Sequence, residues 1–219
     1  SYNDPDDVGV FDLRDIIHED QPYHTNIGDL NNDGRPDFVF TDDGADRYRF
    51  NRSTDVFGRA VMSPSRTFAF AGGGGDDGFG GNNYIVDLDN DGWRDIIIAD
   101  VDVDIAGCDR RTHIYHNPGG AVGSEMQMVE ERESGSGWLG VVGMRNSDLT
   151  GTHDVAVFDI DRDGAVDMVF GRCTGTFVWR QEYDAPPGGG PGDLGGGALP
   201  GSPPKSGTGT ARRLSGLGK

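Results

Sequence analysis

The stretch Ile27-Gly28-Asp29-Leu30-Asn31-Asn32-Asp33-Gly34-Arg35-Pro36-Asp37-Phe38-Val39-Phe40 decides how this chain is read. Counted from Asp29, oxygen-bearing side chains stand at positions 1, 3 and 5, a glycine follows at position 6, and a further aspartate comes at position 9. Residues 85–98 repeat the pattern with Asp87, Asp89, Asp91, Gly92 and Asp95, and residues 157–170 with Asp159, Asp161, Asp163, Gly164 and Asp167. Position 2 is apolar each time (Leu30, Leu88, Ile160). Each loop passes straight into an apolar triplet, Phe-Val-Phe, Ile-Ile-Ile or Met-Val-Phe, which is β-prone and lacks helical periodicity.

The residue types point to a hard cation. Ca²⁺ takes six to eight oxygens at about 2.3–2.6 Å in flexible geometry. Carboxylates at positions 1, 3 and 5 of a tight loop converge, and glycine at position 6 permits the sharp reversal. Asp, Asn and Gly also favour ordinary turns, but three loops with one spacing go beyond turn chemistry. A helix-loop-helix module is excluded, because it needs an acid at position 12 and position 12 here is Phe40, Ile98 or Phe170.

The repeat extends past the loop. A second β-like stretch follows each triplet, at 47–51, 112–117 and 176–181, giving units of about 24–51, 82–117 and 154–181. Further β candidates lie between them at 67–71, 126–130 and 138–144, so each period has room for about four short strands, the size of one propeller blade. The expected fold class is all-β: β-propeller-type blades of short antiparallel strands over residues 1–183. Residues 184–219 hold twelve Gly and six Pro and read as a disordered tail, with a basic end at Arg212, Arg213 and Lys219.

Composition agrees with this reading. Of 219 residues, 37 are glycine and only 34% are hydrophobic, which argues against a helical bundle. A formal charge of −18 speaks against nucleic acid, which requires a basic face. Three divalent ions would bring that −18 to about −12, where the aspartates crowd most closely. Two cysteines cannot build a disulfide scaffold, and no apolar run reaches the roughly 20 residues of a membrane span. With neither Met start nor signal peptide, Ser1 reads as a mature or trimmed terminus.

The loops and their flanking strands resemble the FG-GAP/VCBS repeat family, in which a strand, a DxDxDG loop and a second strand sit inside each propeller blade. The resemblance covers roughly residues 24–181. It implies about three Ca²⁺ ions per chain. Site one would take Asp29, Asn31, Asp33 and Asp37 with the Arg35 carbonyl. Site two would take Asp87, Asp89, Asp91 and Asp95 with the Trp93 carbonyl, and site three Asp159, Asp161, Asp163 and Asp167 with the Ala165 carbonyl. It also implies a secreted, extracellular or cell-surface setting and a non-catalytic role in adhesion, in protein or glycan binding, or as a scaffold. The alternatives are the propeller domain of a polysaccharide lyase or hydrolase, and the structural subunit of an extracellular fibre or matrix that self-assembles. Propellers close with four to eight blades. Closure here asks for degenerate blades, a longer chain or neighbouring subunits. Adjacent blades would set Cys108 and Cys173 on one rim, where they form a disulfide or remain two thiols.

Other constellations carry less. His113 and His116 lie three apart on a presumptive strand, so they face opposite ways and cannot share an ion with Cys108. There is no Gly-x-Ser-x-Gly elbow, His-Glu-x-x-His helix or Walker loop. Glycines 72–75 precede Asp76 and Asp77, an acidic setting that repels phosphate. The expectation is a protein that is not an enzyme. Trp138, Trp179 and Tyr115 read either as sugar-stacking surfaces or as packing between blades.

Overall fold

The computed structural model describes residues 2–3, 11–13, 16–18, 20–68, 80–100, 108, 111–130, 144–182 and 210–213. A short ladder of β1 (Tyr2–Asn3) and β2 (Phe11–Leu13) precedes three open, four-stranded antiparallel sheets. The first joins β3 (His24–Gly28), β4 (Asp37–Thr41) and β5 (Arg47–Arg49). After a hairpin of β6 (Asn51–Thr54) and β7 (Ala60–Met62), β8 (Arg66–Thr67) completes it. The second runs β9 (Gly80–Val86), β10 (Asp95–Asp100), β11 (Thr112–His116) and β12 (Val129–Glu130). A four-residue helix, α1 (Asn146–Leu149), precedes the third: β13 (Thr152–Phe158), β14 (Asp167–Arg172), β15 (Gly175–Glu182) and β16 (Thr210–Arg213). The described chain is therefore all-β apart from one helical turn.

Each acidic loop is the connection between the first two strands of its sheet, and the register is the same in all three. The position-9 aspartate pairs with the residue just before position 1: Asp37 with Gly28, Asp95 with Val86, Asp167 with Phe158.

The sheets stack face to face, and the run Ile96-Ile97-Ile98 explains how. Side chains alternate across a strand. Ile96, Ile98 and Tyr115 enter a core with Leu30, Val39, Tyr48, Phe50 and Phe68 of the first sheet. Ile97, Ala99 and Ile114 enter another with Val155, Met168, Phe170 and Trp179 of the third. A sheet covered on both faces needs an unbroken apolar strand, which is why no polar residue interrupts the run. Each of those isoleucines is at most 1% exposed, and full burial is worth about 1.5–3 kcal/mol per side chain. Tyr115 and Trp179 accordingly pack between sheets, while Trp138 lies outside the described residues.

First strands of neighbouring sheets approach closely. A Cβ on Gly28 would stand 2.7 Å from Ile85 Cγ2, so only glycine fits there. Asn26 Nδ2 donates to the Asn83 carbonyl at 2.8 Å, and Asn82 Nδ2 to Asp154 Oδ1 at 3.0 Å. The Cys108–Cys173 disulfide, 65 residues apart in sequence with Cα atoms 6.2 Å apart, ties the β10–β11 connection to the β14–β15 turn.

The two outer faces of the stack differ. That of the first sheet is covered by the segment before β3: the His18 ring stacks on Phe40 at 4.1 Å, and the Arg49 guanidinium donates to the Ile17 carbonyl. The third sheet leaves Phe158 at 50%, Ile160 at 38% and Val178 at 36% exposure. Their counterparts in the second sheet are Val86, Leu88 and Ile114, all packed against the third.

Four sequence expectations change. Thr210–Arg213, read as tail, pairs with β15: Trp179 opposite Arg213, Glu182 opposite Thr210. An edge strand offers free N–H and C=O groups that any backbone can satisfy, so pairing needs no apolar side chains. The remainder of 184–219 lies outside the described residues. The candidate at 67–71 is the two-residue β8 as far as it is described, and that at 126–130 shortens to Val129–Glu130 because Met126 and Met128 turn into the core. Of 138–144 only Met144 is described; it is buried core outside any strand.

Candidate metal centres

The three loops share one backbone conformation. Position 6 is left-handed, with φ of 82° at Gly34, 92° at Gly92 and 93° at Gly164. Position 4 is left-handed as well: Asn32 at 57°, Asn90 at 60° and Arg162 at 64°. The asparagines signal this in the sequence, since Asn tolerates that region, whereas Arg162 gives no such signal.

Hydrogen bonding fixes the carboxylates. At position 1, one oxygen accepts from the glycine amide: Asp29 from Gly34 at 2.8 Å, Asp87 from Gly92 at 3.0 Å, Asp159 from Gly164 at 3.1 Å. At position 5, one oxygen accepts from the amide two residues on: Asp33 from Arg35 at 2.9 Å, Asp91 from Trp93 and Asp163 from Ala165, both at 2.8 Å. Arg35, Trp93 and Ala165 thus serve as donors that orient position 5.

Position 9 does more than sequence reasoning allowed. Its two oxygens each take a backbone amide. One accepts from position 2: Asp37 from Leu30 at 2.8 Å, Asp95 from Leu88 at 2.9 Å, Asp167 from Ile160 at 2.7 Å. The other accepts from the end of the sheet's third strand or just beyond it: Asp37 from Asn51 at 2.8 Å, Asp95 from Asn117 and Asp167 from Gln181 at 2.9 Å. All three are at most 2% exposed. These aspartates pin loop to sheet whether or not they also face a cation. The signal was present in the sequence, as a position-9 acid in all three loops with an apolar triplet directly after it.

Carboxylate convergence differs among the loops. Ligand oxygens of Asp87, Asp89 and Asp95 lie within 4.8 Å of one another, as do those of Asp159, Asp161 and Asp167. Oxygens on opposite sides of a Ca²⁺ ion are about 4.6–5.2 Å apart, so both triads fit one. Asp87 Oδ1 is buried without a hydrogen-bond partner, an atom that a cation would satisfy. In loop one, position 3 is the buried amide Asn31, and the Arg35 guanidinium pairs with Asp33. Crowding leaves its mark on acidity. Burial, then Asp95 and Asp91, push Asp89 up to about 6. Burial likewise raises Asp37 to about 6 against its two amide donors.

The histidines separate as their spacing requires. His116 turns to loop two, its Nδ1 3.3 Å from Asp95 and 3.8 Å from Asp89. His113 is buried, with Nδ1 2.7 Å from Glu130 and Nε2 3.6 Å from Asp100. Burial alone would lower its pKa; the two carboxylates override that and raise it.

Residues 29–98, from the first loop through the strand after the second, match the family model described as FG-GAP-like repeat. No curated protein matches the chain significantly.

Proposed function

We propose that this protein is a calcium-rigidified, non-catalytic module of propeller-type blades that works outside the cell as a binding or scaffold unit for protein or glycan partners. The observation that carries the calcium reading is the pair of oxygen triads within 4.8 Å, one of them including the partnerless Asp87 Oδ1. The blade reading is supported by three stacked four-stranded meanders, each with its acidic loop between first and second strands. Bound calcium supplies positive charge that joins the carboxylates of one loop. The chain's own residues hold those carboxylates in place through the amides of positions 2, 6 and 7. Such sites in extracellular modules work at about 10⁻⁴–10⁻³ M, a concentration found outside cells and not in cytosol. Isothermal titration with CaCl₂ tests the metal, with about three sites expected and none refuting it. A screen against polysaccharides tests the role. Retention without cleavage supports a binding module, and cleavage overturns the non-catalytic reading.

A further inference from the structure

Resting on the calcium reading, we infer that Arg180 is a tethered cation that competes with the metal for Asp161 and lowers the calcium affinity of loop three. The amides of Asn51, Asn117 and Gln181 all donate to a position-9 aspartate, which aligns the residues just before them, Phe50, His116 and Arg180. His116 and Arg180 stand beside position 3 of their own loops, and the residue type at this place changes with the residue type at position 3. Phe50 is wholly buried where position 3 is the neutral Asn31. His116 lies 3.8 Å from Asp89, and Arg180 Nη1 donates to Asp161 Oδ2 at 2.7 Å. A fourth carboxylate is thus present where the third strand supplies a base and absent where the aligned residue, Phe50 just after β5, is an apolar ring. In loop one Arg35, from inside the loop, pairs with Asp33 instead.

The consequence follows from charge. A guanidinium on a ligand oxygen lets the acidic loop fold without metal, and it must yield or be repelled when a divalent ion arrives. Loop two, with four aspartates and no arginine among its described partners, is then the tightest site. Arg180 is about one-third exposed and Asp161 similarly so, hence the effect is that of a screened pair, about two- to fivefold in a binding constant.

The test is calcium titration of the full chain as wild type, Arg180→Gln and Asp163→Ala, the last identifying the heat that belongs to loop three. Competition predicts that Arg180→Gln tightens that component two- to fivefold. It also predicts a slightly lower melting temperature in calcium-free buffer and a larger gain on adding calcium. If Arg180 merely orients Asp161, the variant binds more weakly and the gain shrinks; that result, or an unchanged affinity, overturns the inference while leaving the calcium reading intact. Absence of binding by wild type removes both.

Discussion

Replacing Asp95 by alanine should destabilise the protein even when no calcium is present. The wild-type carboxylate accepts from Leu88 N and Asn117 N, both at 2.9 Å, and those residues are 2% and 0% exposed. Alanine leaves two buried donors without acceptors, at about 1–3 kcal/mol each, or roughly 2–6 kcal/mol together. Relief of repulsion with Asp89, whose carboxyl Asp95 helps to raise, offsets part of this. For a chain of this size 1 kcal/mol shifts the melting temperature by about 2–4 °C, so a fall of roughly 5–15 °C is expected. Asp91→Ala is the contrast: Asp91 is half-buried and accepts from Trp93 N within its own loop, so in chelator its loss should cost about 1 kcal/mol or less. In calcium both variants should lose a site. Circular dichroism melts of both, with chelator and with calcium in roughly the millimolar range, separate the two roles. If Asp95→Ala melts with wild type in chelator, position 9 is not the fastener between loop and sheet, and the energetic argument fails.

Three other outcomes follow from the same geometry. Leu88→Ala, at a site 2% exposed between sheets, should cost about 2–4 kcal/mol, whereas Ile160→Ala, the same loop position at 38% exposure, should cost about 1 kcal/mol or less; urea denaturation distinguishes them. Metal-free protein should melt higher at pH 5 than at pH 7.5. Asp37 and Asp89, at about 6, hold protons that the unfolded chain has shed above about 4, so stability falls as pH rises through that window. His113, raised by its carboxylates, contributes stability that is present below its unfolded value near 6.5 and lost as pH climbs through its folded value. Calcium needs the ionised carboxylates, so it should narrow that gap at pH 7.5 and bind more weakly below 6, as melts with and without calcium would reveal. Reducing Cys108–Cys173, which closes a 65-residue separation, should cost about 4 kcal/mol in the chain-entropy model, read from urea midpoints with thiol counting.

Local chemistry determined what was legible beforehand. The spacing of Asp, Asn and Gly in each loop, the switch to β-prone triplets and the absence of a position-12 acid are properties of a few adjacent residues, and the structure's hairpins follow them closely. The opposite facing of His113 and His116 needed only the two-residue period of a strand. What the sequence left open depends on partners far along the chain. Which face of Ile96-Ile97-Ile98 meets which sheet is unreadable, because an all-apolar strand carries no alternation. The second hydrogen bond of Asp37, Asp95 and Asp167 goes to amides 14 or 22 residues away, so a position that looks like one more ligand becomes a fastener between loop and sheet. The pairing of Thr210–Arg213 with β15 rests on backbone groups, to which composition is blind. The reach of Arg180 and His116 to their loops exists only once the third strand lies beside the first turn of its sheet, since charge interactions act through space and the chain's order does not record them.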